Sequence, residues 1–296
     1  MATTIDAVAV VTGGWRHGRS GRKLVDRAAR ACLEQAGLVP DDLDLIVNAG
    51  LYHDRNLGEP ALAALIQEDI GANPEDPHAG GHGTFSFDVA NGACGMLTGL
   101  QLADGFLCAG TIRHALIVAG DADPGRGLAS RFPFVPAGAA MACSWHEGPD
   151  GVAGFGFENR PSDAESFVAA VGLEQGTYQL RIDEGPRFAE EAASCAVAVA
   201  SRWLADNQLA PGDIDLVVAN PLTPAFLDPL AAGIGIARAR VVSAGAHIRV
   251  HTAGLAVALH EARRQGRLAG ASKVLLVSAG AGVTAGAALL RGPARW

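Results

Sequence analysis

A cysteine placed directly before a helical segment is the residue of this sequence best placed to do covalent chemistry. Cys94 precedes Gly95 and a segment, 95–106, whose apolar residues recur at helical spacing. The free N–H groups and the dipole of a helix N-terminus favour an anion and lower the pKa of a thiol there. The pattern therefore predicts a nucleophilic thiolate at Cys94. The alternative is a buried core cysteine, which is how three of the other cysteines are interpreted.

Three further residues are candidates for acid–base or polar roles. His251 precedes Thr252, a predicted helix N-cap, and an imidazole titrates close to neutral pH, so it can act as base or donor beside a thiol. Asn220 ends an apolar strand-like run, and Glu59 opens a predicted helix. For Glu59 the alternative is a carboxylate that stabilises the helix dipole. For His247 and His251 the alternative is an ordinary loop histidine.

The elements that must position these residues alternate between strand and helix. Apolar strand-like runs are predicted at 7–11, 43–47, 85–89, 115–119 and 215–219, and helical periodicity at 24–35, 59–70, 95–106 and 253–264. Strands that alternate with helices of this length predict an α/β fold built around mostly parallel sheets.

The second half of the chain repeats the first. The segment L-V-P-D-D-L-D-L-I-V at 38–47 returns as L-A-P-G-D-I-D-L-V-V at 209–218, and the segment 109–120 returns at 269–280. Two matches in the same order indicate a duplicated α/β unit. We expect an N-terminal half over 1–160 that carries Cys94 and a C-terminal half over 161–296. The polar, glycine-rich segment 149–185 is expected to be the connection together with an excursion.

Composition excludes several classes of function. With 296 residues, 49% of them hydrophobic, the chain can bury a large core, which excludes a disordered protein. Its longest apolar runs fall far short of the ~20 residues that span a bilayer. A net charge of −8 without basic clusters argues against a nucleic-acid partner. Five cysteines without a C-x-x-C pair argue against a structural metal site or a disulfide scaffold and predict a cytoplasmic protein.

Several motifs together resemble one enzyme superfamily. The segment F-D-V-A-N-G-A-C-G at 87–95 is similar to the nucleophile segment of type III ketoacyl-ACP synthases, members of the thiolase superfamily. Segments 258–262, 266–270 and 278–282 resemble the C-terminal half of the same enzymes. The E-P-A step at 59–61 is similar to that of the olefin-biosynthesis thiolases, which condense acyl chains head to head. The resemblance covers about 24–290 and implies a thiolase-like fold, with two duplicated βαβ halves in five layers, α-β-α-β-α.

The position of the cysteine departs from the family pattern. Counting without gaps from Phe87 places the family's cysteine on Ala93, one residue before Cys94. One extra residue near Gly92, accommodated as a bulge, would restore Cys94 to that position. The resemblance, read with this bulge, implies Cys94 as the nucleophile.

The expected partners of the cysteine also differ. In the family a histidine ends the second-half strand and an asparagine precedes the second-half helix. Here Asn220 stands where the histidine is expected, and His251 lies roughly where the asparagine is expected, although gap-free counting from the helix gives Arg249. The resemblance therefore implies an exchanged pair around Cys94. In the olefin-biosynthesis subgroup the residue that matches Glu59 crosses the dimer interface to act as a base.

These residues imply an acyltransferase or a Claisen-condensing enzyme of the ketoacyl synthase III type, in fatty acid or polyketide metabolism. Its substrate would be acyl-CoA or an acyl carrier protein, with no cofactor and no metal. Pairing into a homodimer through the strand at 85–89 is implied as well. Because the cysteine and its partners are altered, the alternative is a non-catalytic thiolase-fold subunit that completes a heterodimer with an active synthase.

Overall fold

The computed structural model describes residues 2–13, 20–56, 59–73, 83–125, 127–129, 131–174, 176–220, 223–245 and 248–293. The first half contains β1 (Ala2–Thr12), α1 (Gly21–Ala36), β2 (Leu45–Asn48), α2 (Leu62–Ile70), β3 (Phe85–Asp88), α3 (Gly95–Cys108), β4 (His114–Asp121) and β5 (Ala137–His146). The second half contains β6 (Gly151–Asn159), β7 (Phe167–Glu174), β8 (Thr177–Glu184), α4 (Phe188–Asp206), β9 (Leu216–Asn220), α5 (Leu227–Ile234), β10 (Val241–Val242), α6 (Gly254–Arg264), β11 (Lys273–Gly280) and β12 (Thr284–Arg291).

Two five-stranded sheets share one topology. Their strand orders are β1-β5-β4-β2-β3 and β6-β12-β11-β9-β10, so each strand of the first half has a counterpart in the second. In each sheet the central strands pair in parallel and the first-strand side pairs antiparallel. The duplication is confirmed. The sheets divide the chain between His146 and Gly151 rather than near residue 160, because β6 pairs with β12 and is the first strand of the second half.

Helices α3 and α6 lie between the two sheets and contact each other and strands of both halves. Helices α1 and α2 cover the outer face of the first sheet, and α4 and α5 cover that of the second. Apolar side chains of α3 and α6, such as Leu100 and Leu259, form the central core, and two further clusters fill the outer layers. The predicted five layers, α-β-α-β-α, are confirmed.

Local sequence sets the ends of the helices near the site, with one exception. The Ser20 side chain accepts a hydrogen bond from the Lys23 N–H and caps α1, and Gly37 ends that helix in the left-handed region. The expected cap of α6 is wrong. Its N-cap is Ala253, and the Thr252 hydroxyl instead donates to Asp121. Because Thr252 donates to the buried carboxylate of Asp121, the residues just before α6 are hydrogen-bonded to the first half of the chain.

Two features lie at the margins of the sheets. Strands β7 and β8 form a separate two-stranded hairpin, which is the excursion expected within 149–185. Strand β3 is an edge strand, and the Phe85 side chain on it is 61% exposed.

None of the helices in the described part of the chain has the length and apolar character needed to cross a membrane.

Candidate active site

Three segments meet at the centre of the molecule: the turn before α3, the end of β9 and the loop before α6. The Asn220 side chain joins them, because its Nδ2 donates to the Ala93 carbonyl oxygen at 2.9 Å and to the His251 carbonyl oxygen at 3.2 Å. Gly254 makes room for this amide, since a Cβ there would lie 1.9 Å from Asn220 Oδ1. Asn220 is 1% exposed, so this arrangement makes it a connector of backbone segments.

Cys94 and Ala93 point in different directions. Gly92, at φ 49°, begins a 3-10 turn over Gly92–Cys94 that runs directly into α3, so a turn stands where a bulge was considered. Cys94 Sγ lies 3.5 Å from the Thr284 carbonyl oxygen of β12, whereas Ala93 faces Gly280. Asn220 therefore meets this segment through the backbone carbonyl of Ala93.

The environment of Cys94 also differs from the expected one. Burial raises the pKa of its thiol well above the usual value, and the nearby Cys195 raises it further. The helix N-terminus was expected to lower the pKa of this thiol. Burial of the side chain against β12 has the larger effect and raises the pKa instead. The nucleophilic role of Cys94 stays a prediction, and it would require the thiol to leave this position.

His251 is paired with a carboxylate that the candidate residues did not include. His251 Nδ1 lies 3.1 Å from Asp121 Oδ2, which also accepts from the Thr252 N–H at 2.9 Å and the Thr252 hydroxyl at 2.5 Å. Burial raises the pKa of Asp121, but His251 and the hydrogen bonds from Thr252 and Tyr52 outweigh it and lower that pKa to about 2. Asp121 is therefore a charged, buried anchor for the imidazole. Its one sequence signal is a carboxylate that ends an otherwise apolar strand.

The second oxygen of Asp121 binds the first half. Asp121 Oδ1 accepts from the Leu51 N–H at 3.0 Å and the Tyr52 N–H at 2.8 Å. One carboxylate thus joins the loop after β2 to the loop before α6.

His251 is one of the residues that line a 400 Å³ cavity. The ring stacks on Tyr52 and Phe134, with centroid distances of 5.1 and 4.6 Å. Its Nε2 is buried and has no hydrogen-bond partner among the described residues. A Cβ on Gly92 would lie 3.7 Å from that atom. The cavity is lined by residues 51–52, 90–92, 167–169, 251 and 281–282.

The remaining candidates lie elsewhere. Glu59 is exposed in the turn ahead of α2 and is not one of the cavity residues, so its role across a dimer interface stays a prediction. His247 lies outside the described residues. Arg249, the alternative to His251, forms an ion pair with Glu184 and places its guanidinium 5.7 Å from the centre of the Phe134 ring. His251 is thus the candidate that reaches the central segments.

Comparison with known proteins identifies the family. The family model described as "3-Oxoacyl-[acyl-carrier-protein (ACP)] synthase III C terminal" matches residues 204–292. A curated β-ketoacyl-[acyl-carrier-protein] synthase III from Sphingopyxis alaskensis is 30% identical over 281 residues, which cover 89% of this chain and 81% of that protein. The chain belongs to the β-ketoacyl-[acyl-carrier-protein] synthase III family.

Solved structures confirm the thiolase-type fold of this family member. The priming β-ketosynthase of the R1128 polyketide biosynthetic pathway superposes with a TM-score of 0.82 at 21% identity, covering 100% of this chain and 98% of that one. OleA from Xanthomonas campestris superposes with a TM-score of 0.81 at 17% identity, covering 99% of both chains. Both likenesses concern the fold.

Proposed function

We propose that this synthase III family member is an acyl-thioester-dependent acyltransferase in which His251, rather than a cysteine, performs the central chemistry. The observation that carries the proposal is the buried Asp121–His251 pair, whose Nε2 has no partner among the described residues and lies beside the cavity. A buried polar atom without a partner calls for an explanation, and a bound substrate group supplies one.

The proposed reaction is direct transfer from a thioester to an acceptor group. His251 Nε2 takes the proton of the acceptor as its oxygen, nitrogen or sulfur attacks the thioester carbonyl carbon. The C–S bond breaks, and the imidazolium returns the proton to the leaving thiolate, so the products are the acylated acceptor and the free thiol. Asp121 keeps the proton of the neutral ring on Nδ1 and stabilises the imidazolium, which the faces of Tyr52 and Phe134 also favour.

The position of Ala93 separates this proposal from the covalent route through Cys94. If gap-free counting from Phe87 is the correct register, the family's cysteine corresponds to Ala93, while Asn220 stands where the family's histidine is expected and His251 roughly where its asparagine is expected. The contact of Asn220 with the Ala93 carbonyl supports that register. An acyl-cysteine at Cys94 would need the thiol to turn away from Thr284. The family name supports an acyl-ACP donor, and acyl-CoA offers the same thioester group.

The test follows release of CoA and the intact mass of the protein after incubation with decanoyl-CoA. We expect wild type to release CoA without a stable adduct, and His251→Ala to release it about 10²–10⁴-fold more slowly, the usual scale of general-base catalysis. His260→Ala is the matched control, since His260 is exposed on α6. Cys94→Ala should keep the rate, and Ala93→Cys should gain an acyl adduct at position 93.

Two results would contradict the proposal. An acyl adduct on wild type that disappears in Cys94→Ala would establish the covalent route. A folded wild-type protein that releases no CoA with any acceptor tested would favour the second candidate function.

That second candidate is a non-catalytic subunit that pairs with an active synthase. An alanine at position 93, where gap-free counting puts the family's cysteine, favours it, and the edge strand β3 with its exposed Phe85 offers a surface for pairing. Light scattering of the purified chain at micromolar concentration separates the assemblies. A homodimer would support pairing with a second copy, and a monomer without CoA release would support a different partner.

A further inference from the structure

The cavity at His251 has a second polar side chain in its lining. Asn91, in the turn before α3, lines the cavity together with Gly92 and His251. A Cβ on Gly92 would lie 3.7 Å from His251 Nε2. Because consecutive Cα atoms are about 3.8 Å apart, the Cα atom of Asn91 lies within about 9 Å of that nitrogen. The other lining residues, Tyr52 apart, are apolar or glycine.

The side-chain amide of Asn91 is held in one orientation by its neighbours. Its Nδ2 donates to the Thr98 hydroxyl oxygen at 2.9 Å, and that hydroxyl donates its own proton to the Cys94 carbonyl oxygen at 3.1 Å. A flipped amide would place its oxygen against a hydroxyl oxygen whose proton is already used. These hydrogen bonds therefore keep Oδ1 on the side of the amide away from Thr98, where no described residue donates to it.

Asn91 and His251 therefore both offer hydrogen-bond acceptors. Asp121 keeps the ring proton on Nδ1, so the neutral imidazole presents an unprotonated Nε2, and Asn91 presents Oδ1. A substrate that satisfies both atoms must bring two donors. Two hydroxyls on neighbouring carbon atoms, each with a hydrogen bond of about 2.8 Å, reach acceptor atoms up to roughly 8 Å apart, which suits the closeness of Asn91 to His251.

The chemistry of the cavity narrows the class of substrate further. An aliphatic amine is charged at neutral pH and a thiol is a weak donor, so hydroxyl groups suit two neutral acceptor atoms best. The aromatic residues Tyr52 and Phe167 and the apolar residues beside them favour a ring or a hydrocarbon body over a sugar-like one. Catechol, with two neighbouring hydroxyls on an apolar ring, is a small probe of this class.

We infer that the acyl acceptor is an apolar vicinal diol, of which one hydroxyl reacts at His251 and the other donates to Asn91 Oδ1. The inference rests on the proposed function, and Asn91 is the residue that selects the acceptor. The reacting oxygen bonds to the thioester carbonyl carbon while its proton passes to Nε2. The C–S bond then breaks, and the thiolate leaves with that proton. The second hydroxyl keeps its proton, so the product is a monoester of the diol.

The experiment compares catechol, phenol and 2-methoxyphenol as acceptors with decanoyl-CoA, under nitrogen, and measures kcat/KM for ester formation. Wild type should prefer catechol to phenol about three- to ten-fold per hydroxyl, the worth of one hydrogen bond. It should show no such preference for 2-methoxyphenol, whose second oxygen cannot donate. In Asn91→Leu the ratio of catechol to phenol should fall to about one. Thr98→Val should lower the ratio as well, because the Asn91 amide loses the partner that orients it.

Asn207→Leu is the matched control, since Asn207 is exposed at the end of α4 and donates to the Trp203 carbonyl oxygen. It should keep the wild-type ratio. Circular dichroism checks folding, and Asn91→Ala replaces Asn91→Leu if the latter is unfolded.

Calorimetry of catechol and phenol binding, without decanoyl-CoA, repeats the comparison independently of turnover. The inference is overturned if wild type does not prefer catechol, if catechol does not bind, or if both Asn91 variants keep the preference. Tighter binding of catechol that depends on Asn91, without CoA release, would refute the proposed function and leave the role of Asn91 intact.

Discussion

Replacing Asp121 with asparagine tests the central feature of the site, a buried carboxylate that accepts five hydrogen bonds. Oδ1 accepts from the N–H groups of Leu51 and Tyr52, and Oδ2 accepts from His251 and from two groups of Thr252. An asparagine has one carbonyl oxygen, and its NH₂ group can only donate. If that oxygen takes the place of Oδ2, the Leu51 and Tyr52 N–H groups lose their acceptor and face a donor.

The loss in free energy of unfolding caused by Asp121→Asn follows from the number of backbone N–H groups that it leaves without an acceptor. Each unsatisfied buried donor costs about 1–3 kcal/mol, so two of them give about 2–6 kcal/mol of lost free energy of unfolding. Proton linkage gives a figure of the same size. The pKa of Asp121 is about 2 against a usual 3.8, and such a shift is worth a few kcal/mol. Because this pKa is lowered in the folded state, the contribution is present above pH ~4 and is lost as the pH falls through about 2.

Urea denaturation at pH 7, followed by tryptophan fluorescence, measures this loss. Asp215→Asn is the matched control. Asp215 also accepts two backbone N–H groups and a hydroxyl, from Ser272 and Lys273, but it is exposed, so water can replace the lost acceptor. We expect a loss of about 2–5 kcal/mol for Asp121→Asn and under about 1 kcal/mol for the control. Equal losses for the two variants would refute the account of Asp121 as a buried anchor.

Further predictions concern other parts of the chain. Gly254→Ala should lower the free energy of unfolding by about 2 kcal/mol in urea, because its Cβ displaces the Asn220 amide from two buried hydrogen bonds. Gly105→Ala, where nothing lies near the new methyl group, should not. Burial and the adjacent Asp69 raise the pKa of Asp26 to about 7, so the folded protein loses stability as the pH rises from about 4 to 7. Asp26→Asn should therefore be more stable than wild type at pH 8, by about 1 kcal/mol after allowing for partial exposure, and equal to it below pH ~4; an equal difference at both values would contradict this. Light scattering should find wild type a dimer and Phe85→Glu a monomer, whereas Val39→Glu, at an exposed site outside β3, should stay dimeric.

Periodicity and repetition in the sequence predicted most of the fold, because strongly patterned segments need no tertiary information. The helices at 24–35 and 95–106 lie within α1 and α3, and the repeated segments at 38–47 and 209–218 end in equivalent strands. Strand β5 was missed. Its sequence, A-G-A-A-M-A-C-S-W-H, is alanine-rich and lacks β-branched residues. Hydrogen bonds to β1 and β4 on both sides make it a strand, and no local pattern records them.

The candidate site was harder to predict because it depends on side-chain direction and on distant contacts. A shift of one residue in a helical turn rotates a side chain by about 100°, so the choice between Ala93 and Cys94 decides whether a thiol faces Gly280 or Thr284. Motif similarity identifies the segment that holds the family's cysteine. The direction of each side chain in it depends on the 3-10 turn, which the motif does not show. Asp121 and His251 are 130 residues apart in the chain, so their pairing leaves no spacing pattern to find.

The duplication places equivalent segments of the two halves on either side of the His251 imidazole. Helices α3 and α6 are equivalent elements of the two halves, and the residues three positions before their first glycines are Gly92 and His251. A Cβ on Gly92 would be in van der Waals contact with His251 Nε2, at 3.7 Å, so one half supplies the ring and the other supplies part of its surroundings. The carboxylate that orients the ring, Asp121, belongs to the same half as Gly92. The pair therefore exists only when the two halves are packed together, and a substitution that loosens their packing should weaken the site without touching either residue.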